Sequence, residues 1–232
     1  MSTRLGHHAP TAATRCRPRA FAPGAPRPSE LLTAFFRAGL LFMIAALGAA
    51  IAQTVSGREW LQWLTLHLLF LGGISQLVLG AGQFFVCAFL ATDPPTHRLI
   101  WAQLAAWNVG TLLVAVGVPT ATTGLVDGGG ALIAAGLLLF AAALRRMERR
   151  SLQRAPWALR WYQASAACLG VGALAGVLMA RGTAWPYGSL LGAHLALNLG
   201  GWLGTAIIGT LHTFFPSLTQ TQLRYPRLQR PT

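Results

Sequence analysis

The chain has 232 residues, of which 54% are hydrophobic and only 10% charged, with a mean hydropathy of +0.52. Its 18 basic residues, all arginine, stand against five acids and give a net charge of +13. This composition excludes an ordinary soluble domain, and so few carboxylates leave little from which to build a hydrolase or a carboxylate proton relay.

In chain order, residues 1–29 are rich in Pro, Ala and Arg and hold no apolar run long enough for a signal-peptide core. They read as a disordered basic cytoplasmic tail, in which the His7–His8 pair is incidental. Apolar runs of membrane-spanning length then recur at 31–54, 63–91, 100–122, 124–144, 159–180 and 188–215. The expectation is an all-α polytopic membrane bundle of about six transmembrane helices filling residues 30–216, followed by a basic cytoplasmic tail at 217–232. The stretch 119–130, PTATTGLVDGGG, is turn-prone and separates the third run from the fourth.

Orientation follows from the arginines. With the N-terminus cytoplasmic, the inner segments hold the tail arginines, Arg98, the 145–160 cluster and Arg224, Arg227 and Arg230, whereas the outer loops hold only Arg58 and Arg181. The positive-inside rule thus expects both termini in the cytoplasm, and the total absence of lysine points to a GC-rich bacterial genome and a bacterial cytoplasmic membrane. Topogenic and lipid-facing roles account for the charge without any nucleic-acid partner. Cys16, Cys87 and Cys168 lack metal-site spacing and imply neither disulfide nor zinc.

Within the spans, Arg37 is expected to snorkel to the interface. Gln76, Gln83, Gln103, Asn108, Gln163 and Asn198 read as interhelical hydrogen-bonding groups, and Trp60, Trp63, Trp101, Trp157, Trp161 and Trp185 as interfacial anchors. His67 and His194 demand more. Imidazole is costly in hydrocarbon unless a hydrogen bond, a proton path or a metal satisfies it. The two lie in spans that run in the same direction, each roughly 6–8 Å below the outer surface at a rise of about 1.5 Å per residue, and each is followed by a Gly-Gly pair. They can face one another, and a shared haem iron with two neutral imidazole ligands is the candidate; a hydrogen bond across a helix interface is the competing reading. His212 lies on the same face of the last span but about 27 Å away, near the inner surface.

The run GAHLALNLGGWLG, followed by GTLHTFFP, resembles the late histidine-bearing helix of haem-copper oxidase subunit I, in particular the cbb3-type oxidase and nitric oxide reductase branches. His194, Gly201, Trp202, Gly209 and Pro216 fall on that pattern. His67 with LLFLGG is similar to the family's early helix, whose histidine is an axial ligand of the low-spin haem. Ala196 stands where the family keeps a second histidine, so the resemblance implies at most one haem b, with His67 and His194 as metal ligands. Asn198, Gly201 and Trp202 are the expected neighbours of the cofactor. The family's His-x-x-x-Tyr helix and His-His pair are missing from the spans, so copper and oxygen reduction by this chain alone are not expected. The implied role is electron transfer or redox and gas-ligand sensing, in contact with membrane lipid and with other respiratory subunits or further copies of itself. The alternative is a small transporter or channel, or a non-catalytic scaffold of a respiratory complex.

Overall fold

A computed structural model describes residues 26–151 and 157–219. The bulk of both tails, with His7, His8 and Cys16, lies outside the described residues. Six helices are long and apolar enough to cross a membrane. They are α1 (Pro28–Ser56), α2 (Glu59–Leu90), α3 (His97–Gly117), α4 (Thr123–Arg150), α5 (Trp157–Ala180) and α6, which begins at Tyr187 and is described to Thr219. No strand occurs among the described residues.

Each boundary has a local cause. Glu30 receives the Arg27 backbone N–H at 3.3 Å at the start of α1, and Gly57 ends that helix in the left-handed region, φ 67°. Pro94 and Pro95, which lack backbone N–H donors, occupy the link between α2 and α3. The turn between α3 and α4 is shorter than the sequence suggests, because Thr123 already opens α4. The glycines of 128–130 are therefore helical. A Cβ on Gly129 would lie 2.8 Å from the Gly110 carbonyl oxygen, and one on Gly110 would lie 2.9 Å from that of Gly129. Glycine is the residue that lets α3 and α4 come together so closely, and this contact fixes them as separate antiparallel helices.

Two helices are not α-helical throughout. α2 passes into a π-helical segment at Leu68–Ile74, directly after His67, and α6 does so at Ala196–Gly204, with Leu195 between it and His194. A π turn widens the helix and leaves carbonyls poorly served. Ser75 and Thr205 close the two segments by donating their hydroxyls five residues back, to the Phe70 carbonyl at 2.8 Å and the Gly200 carbonyl at 3.3 Å.

The packing of α1 on α2 recurs in that of α5 on α6. Cβ atoms on Gly72 and Gly80 would strike Phe42 and Phe35 of α1; on Gly201 and Gly209 they would strike Cys168 and Trp161 of α5. Gly39 abuts the Gly73 carbonyl, and Ser165 donates to the Trp202 carbonyl at 2.7 Å. Trp161, Ser165 and Cys168 follow Phe35, Gly39 and Phe42 at one constant interval, and Gly201, Trp202 and Gly209 follow Gly72, Gly73 and Gly80 at another. The second π segment has 9 residues and the first 7. The molecule thus contains an internal structural repeat of helix pairs.

The core is built from Phe35, Leu79, Val86, Leu104, Trp107, Phe140, Tyr162 and Trp202, with Met147 accepting from the Cys87 thiol at 3.2 Å. Leu41, Leu47, Leu112, Leu138, Leu174 and Leu211 point outward. In a membrane the outer face is as apolar as the inner one, so packing, not hydrophobicity, decides which leucines are buried. Arg37 is exposed on the outside of α1.

Candidate functional site

The indole N–H of Trp202 on α6 reaches Ser75 of α2, and the two histidine-bearing helices bring their rings near one another. His67 and His194 are half-buried, with ring centres 6.1 Å apart and planes 25° from parallel. Two imidazoles bound to one metal through their outer nitrogens at about 2 Å each have ring centres about 6 Å apart. The separation is that of two ligands of a shared metal and equally lies within the range of a direct contact between rings.

The hydrogen bonds fix the tautomers. His67 Nδ1 is 2.9 Å from the Trp63 carbonyl oxygen, one turn back on α2, and His194 Nδ1 is 2.8 Å from the Gly172 carbonyl oxygen of α5. A carbonyl only accepts, so each Nδ1 carries the proton and each Nε2 is left with its lone pair. This is the state in which an imidazole binds a metal, with the backbone carbonyl as the outer partner that orients the ring.

The neighbours hold these rings in place. The Trp63 indole stacks on His67 with centres 4.0 Å apart, so Trp63 packs on that imidazole. A Cβ on Gly176 would sit 3.0 Å from His194 Cε1, and one on Gly172 would collide with the Asn198 amide. The absence of side chains on this face of α5 is what admits His194 and Asn198. The Asn198 amide nitrogen is placed 3.1 Å from His194 Nδ1, while its Oδ1 is buried with no partner in the protein. Because Nδ1–H already donates to Gly172, the amide is better turned so that its oxygen accepts a share of that proton.

Gly201 and Trp202 lie elsewhere. Gly201 packs against Cys168, and Trp202 is buried at 1% exposure, donating its indole N–H to Ser75 Oγ of α2 at 3.0 Å. Together with the Ser165 bond to its carbonyl, Trp202 ties α6 to α2 and α5 beneath the histidines. Gly72 and Gly73 receive Phe42 and Met43 of α1, so they serve helix packing and not the approach of a flat ligand. Gly200 has open space around it. Trp161 likewise packs inward, against Gly209. Trp63, Gly172 and Gly176 are the site residues that motif reading missed; only the four-residue spacing of Trp63 and His67 hinted at one of them.

His212 belongs to the opposite end of α6 from His194. No group of three or more histidine, cysteine or acidic side chains converges among the described residues, so the site rests on two histidines. At their end of the bundle Arg181 pairs with Asp127 at 2.8 Å, joining α5 to α4. No family, curated protein or solved structure matches this chain.

Proposed function

We propose that this multi-pass membrane protein binds one haem b between α2 and α6 and serves in electron transfer or in redox and gas-ligand sensing. The observation that carries the reading is the near-parallel pair of imidazoles, 6.1 Å apart, each with Nδ1 committed to a backbone carbonyl. His67 and His194 would hold the iron through Nε2, and Asn198 would steady the His194 ring. Bound there, the haem supplies a one-electron centre in a low-dielectric site. The chain's own part is to fix the two rings, with Trp63 stacked on His67.

The test is a visible spectrum of the purified protein from haem-replete cells, followed by extraction of the haem. A low-spin Soret band with about one haem b per chain is expected. A protein without a Soret band would leave the transporter or scaffold reading in its place.

The arginine asymmetry supports an orientation in a bacterial cytoplasmic membrane with both ends inside and the histidine pair near the outer face. Near that face Arg58 and Arg181 are matched by Glu59 and Asp127, whereas the other end carries the excess positive charge. A Ser56→Cys variant in a cysteine-free background should react with an impermeant maleimide only from the outside of oriented vesicles. Labelling only from the cytoplasmic side would show the inverse topology.

A further inference from the structure

Below the histidines, α2 and α3 come close beside the π segment, but further toward the arginine-rich end they are bridged by amide side chains. Gln76 Nε2 donates to Asn108 Oδ1 at 3.1 Å and to the Gly72 carbonyl at 3.1 Å. Gln83 Nε2 donates to Gln103 Oε1 at 3.2 Å and to the Leu79 carbonyl at 3.0 Å. Both hydrogens of each nitrogen are used on acceptors, which fixes the amide orientations. Turning either amide would set its oxygen against two oxygens.

The remaining atoms are then determined. Gln76 Oε1 and Gln83 Oε1 are acceptors without a donor, Gln103 Nε2 is a donor without an acceptor, and Thr111 Oγ1 has no partner. The three glutamines are 0% exposed and Thr111 is 1% exposed. Gln83 lies about 10 Å along α2 from Gln76, and Thr111 about 12 Å along α3 from Gln103. These atoms form a sequence of levels in the membrane interior, where an unmet amide is costly. Their chemistry selects the occupant. A cation would satisfy the oxygens but repel the Gln103 amide N–H, whereas water both donates and accepts and is small enough to lie between side chains.

At the arginine-rich end a recess of about 370 Å³, lined by Pro28 of α1, Phe84 and Cys87 of α2 and Thr92 and Asp93 of the following link, lies one turn along α2 from Gln83. At the far end Thr111 lies one turn beyond Trp107, whose indole N–H reaches the Leu71 carbonyl at 3.0 Å, and so points the sequence toward the level of His67.

We propose that the α2–α3 seam binds a file of water molecules, admitting water and the protons it relays from the arginine-rich end to the level of the histidine pair. The amides order the water; they take no proton themselves. This path does not depend on haem and would serve a redox site or a transport site equally.

The test compares Thr111→Cys with Ile133→Cys in a protein whose Cys16, Cys87 and Cys168 are replaced by alanine. Ile133 is also buried, at 2% exposure, and its Cγ1 would lie 3.0 Å from a Cβ on Gly110, so the two thiols share a depth. Reconstituted protein is exposed to aqueous silver ions, which bind thiolate, and the unblocked thiol is counted with maleimide after denaturation. A hydrated seam gives Thr111→Cys a rate at least about tenfold above that of Ile133→Cys. Adding Gln83→Leu with Gln103→Leu, which closes the path with apolar groups of similar size, should remove that advantage while size-exclusion and circular dichroism profiles stay unchanged. Asn108→Cys supplies the same comparison one level down should Thr111→Cys fail to fold. Equal rates at Thr111→Cys and Ile133→Cys, or a fast rate untouched by the double leucine variant, would overturn the proposal. Neither measurement needs haem, so a dry seam and an empty haem site are distinguished.

Discussion

If haem binds as proposed, replacing either His67 or His194 by alanine is expected to abolish its low-spin spectrum, leaving a high-spin form or a haem content lowered by at least about tenfold. Each ring has its Nδ1 on a carbonyl of the helix frame, so neither can be supplied by a neighbour once it is removed. Among the described residues the remaining histidines, His97 and His212, stand toward the arginine-rich end of α3 and α6. His212→Ala should therefore leave the spectrum nearly unchanged. Loss of the spectrum in His212→Ala with retention in His67→Ala would refute the assignment, and the comparison is read in purified protein at equal loading.

The second large effect is expected from Trp202→Ala, at about 3–5 kcal/mol of stability. The indole is almost fully buried, packs edge-on against Phe140 at 6.3 Å and donates to Ser75, so truncation opens a cavity and leaves the oxygen of a hydroxyl that helps close the first π segment without its donor. Trp202→Phe should recover much of the packing but not the hydrogen bond. Denaturant or thermal unfolding in a fixed detergent measures the difference. A Trp202→Ala protein as stable as the parent would mean that α6 is held to the bundle by other contacts.

Much of the fold was legible because hydrocarbon imposes a crude rule: backbone polar groups must be paired within a helix, so apolar runs of the right length become helices. The six spans and the matched depth of His67 and His194 came from that rule and from chain direction. Helix ends were less legible. Thr123–Gly130 resembles a turn by composition, yet α4 starts there because α3 presents Gly110 to Gly129. The tryptophans show the same limit, since Trp63 and Trp161 sit at span ends by residue number but face a histidine and a glycine inside the bundle.

The amides were recognisable as interhelical hydrogen-bonding groups, but not their pairing. Gln76 with Asn108 and Gln83 with Gln103 depend on how α3 is rotated, which leucine-rich sequence in a uniformly apolar solvent does not specify. The π segments were equally hidden, since neither run differs in composition from the helical sequence around it.

By itself, the sequence determined the solvent, the number of spans, the charge asymmetry and the two histidines that need a partner, because each is a property of one helix against its surroundings. Only the tertiary structure decided that α1–α2 and α5–α6 repeat one packing, that the rings stand 6.1 Å apart with Nδ1 turned to carbonyls, and that the Gln76–Thr111 seam is polar and incompletely paired. Those features depend on helix rotation and close approach, which small residues such as Gly172, Gly176 and Gly201 permit but only the assembled bundle selects.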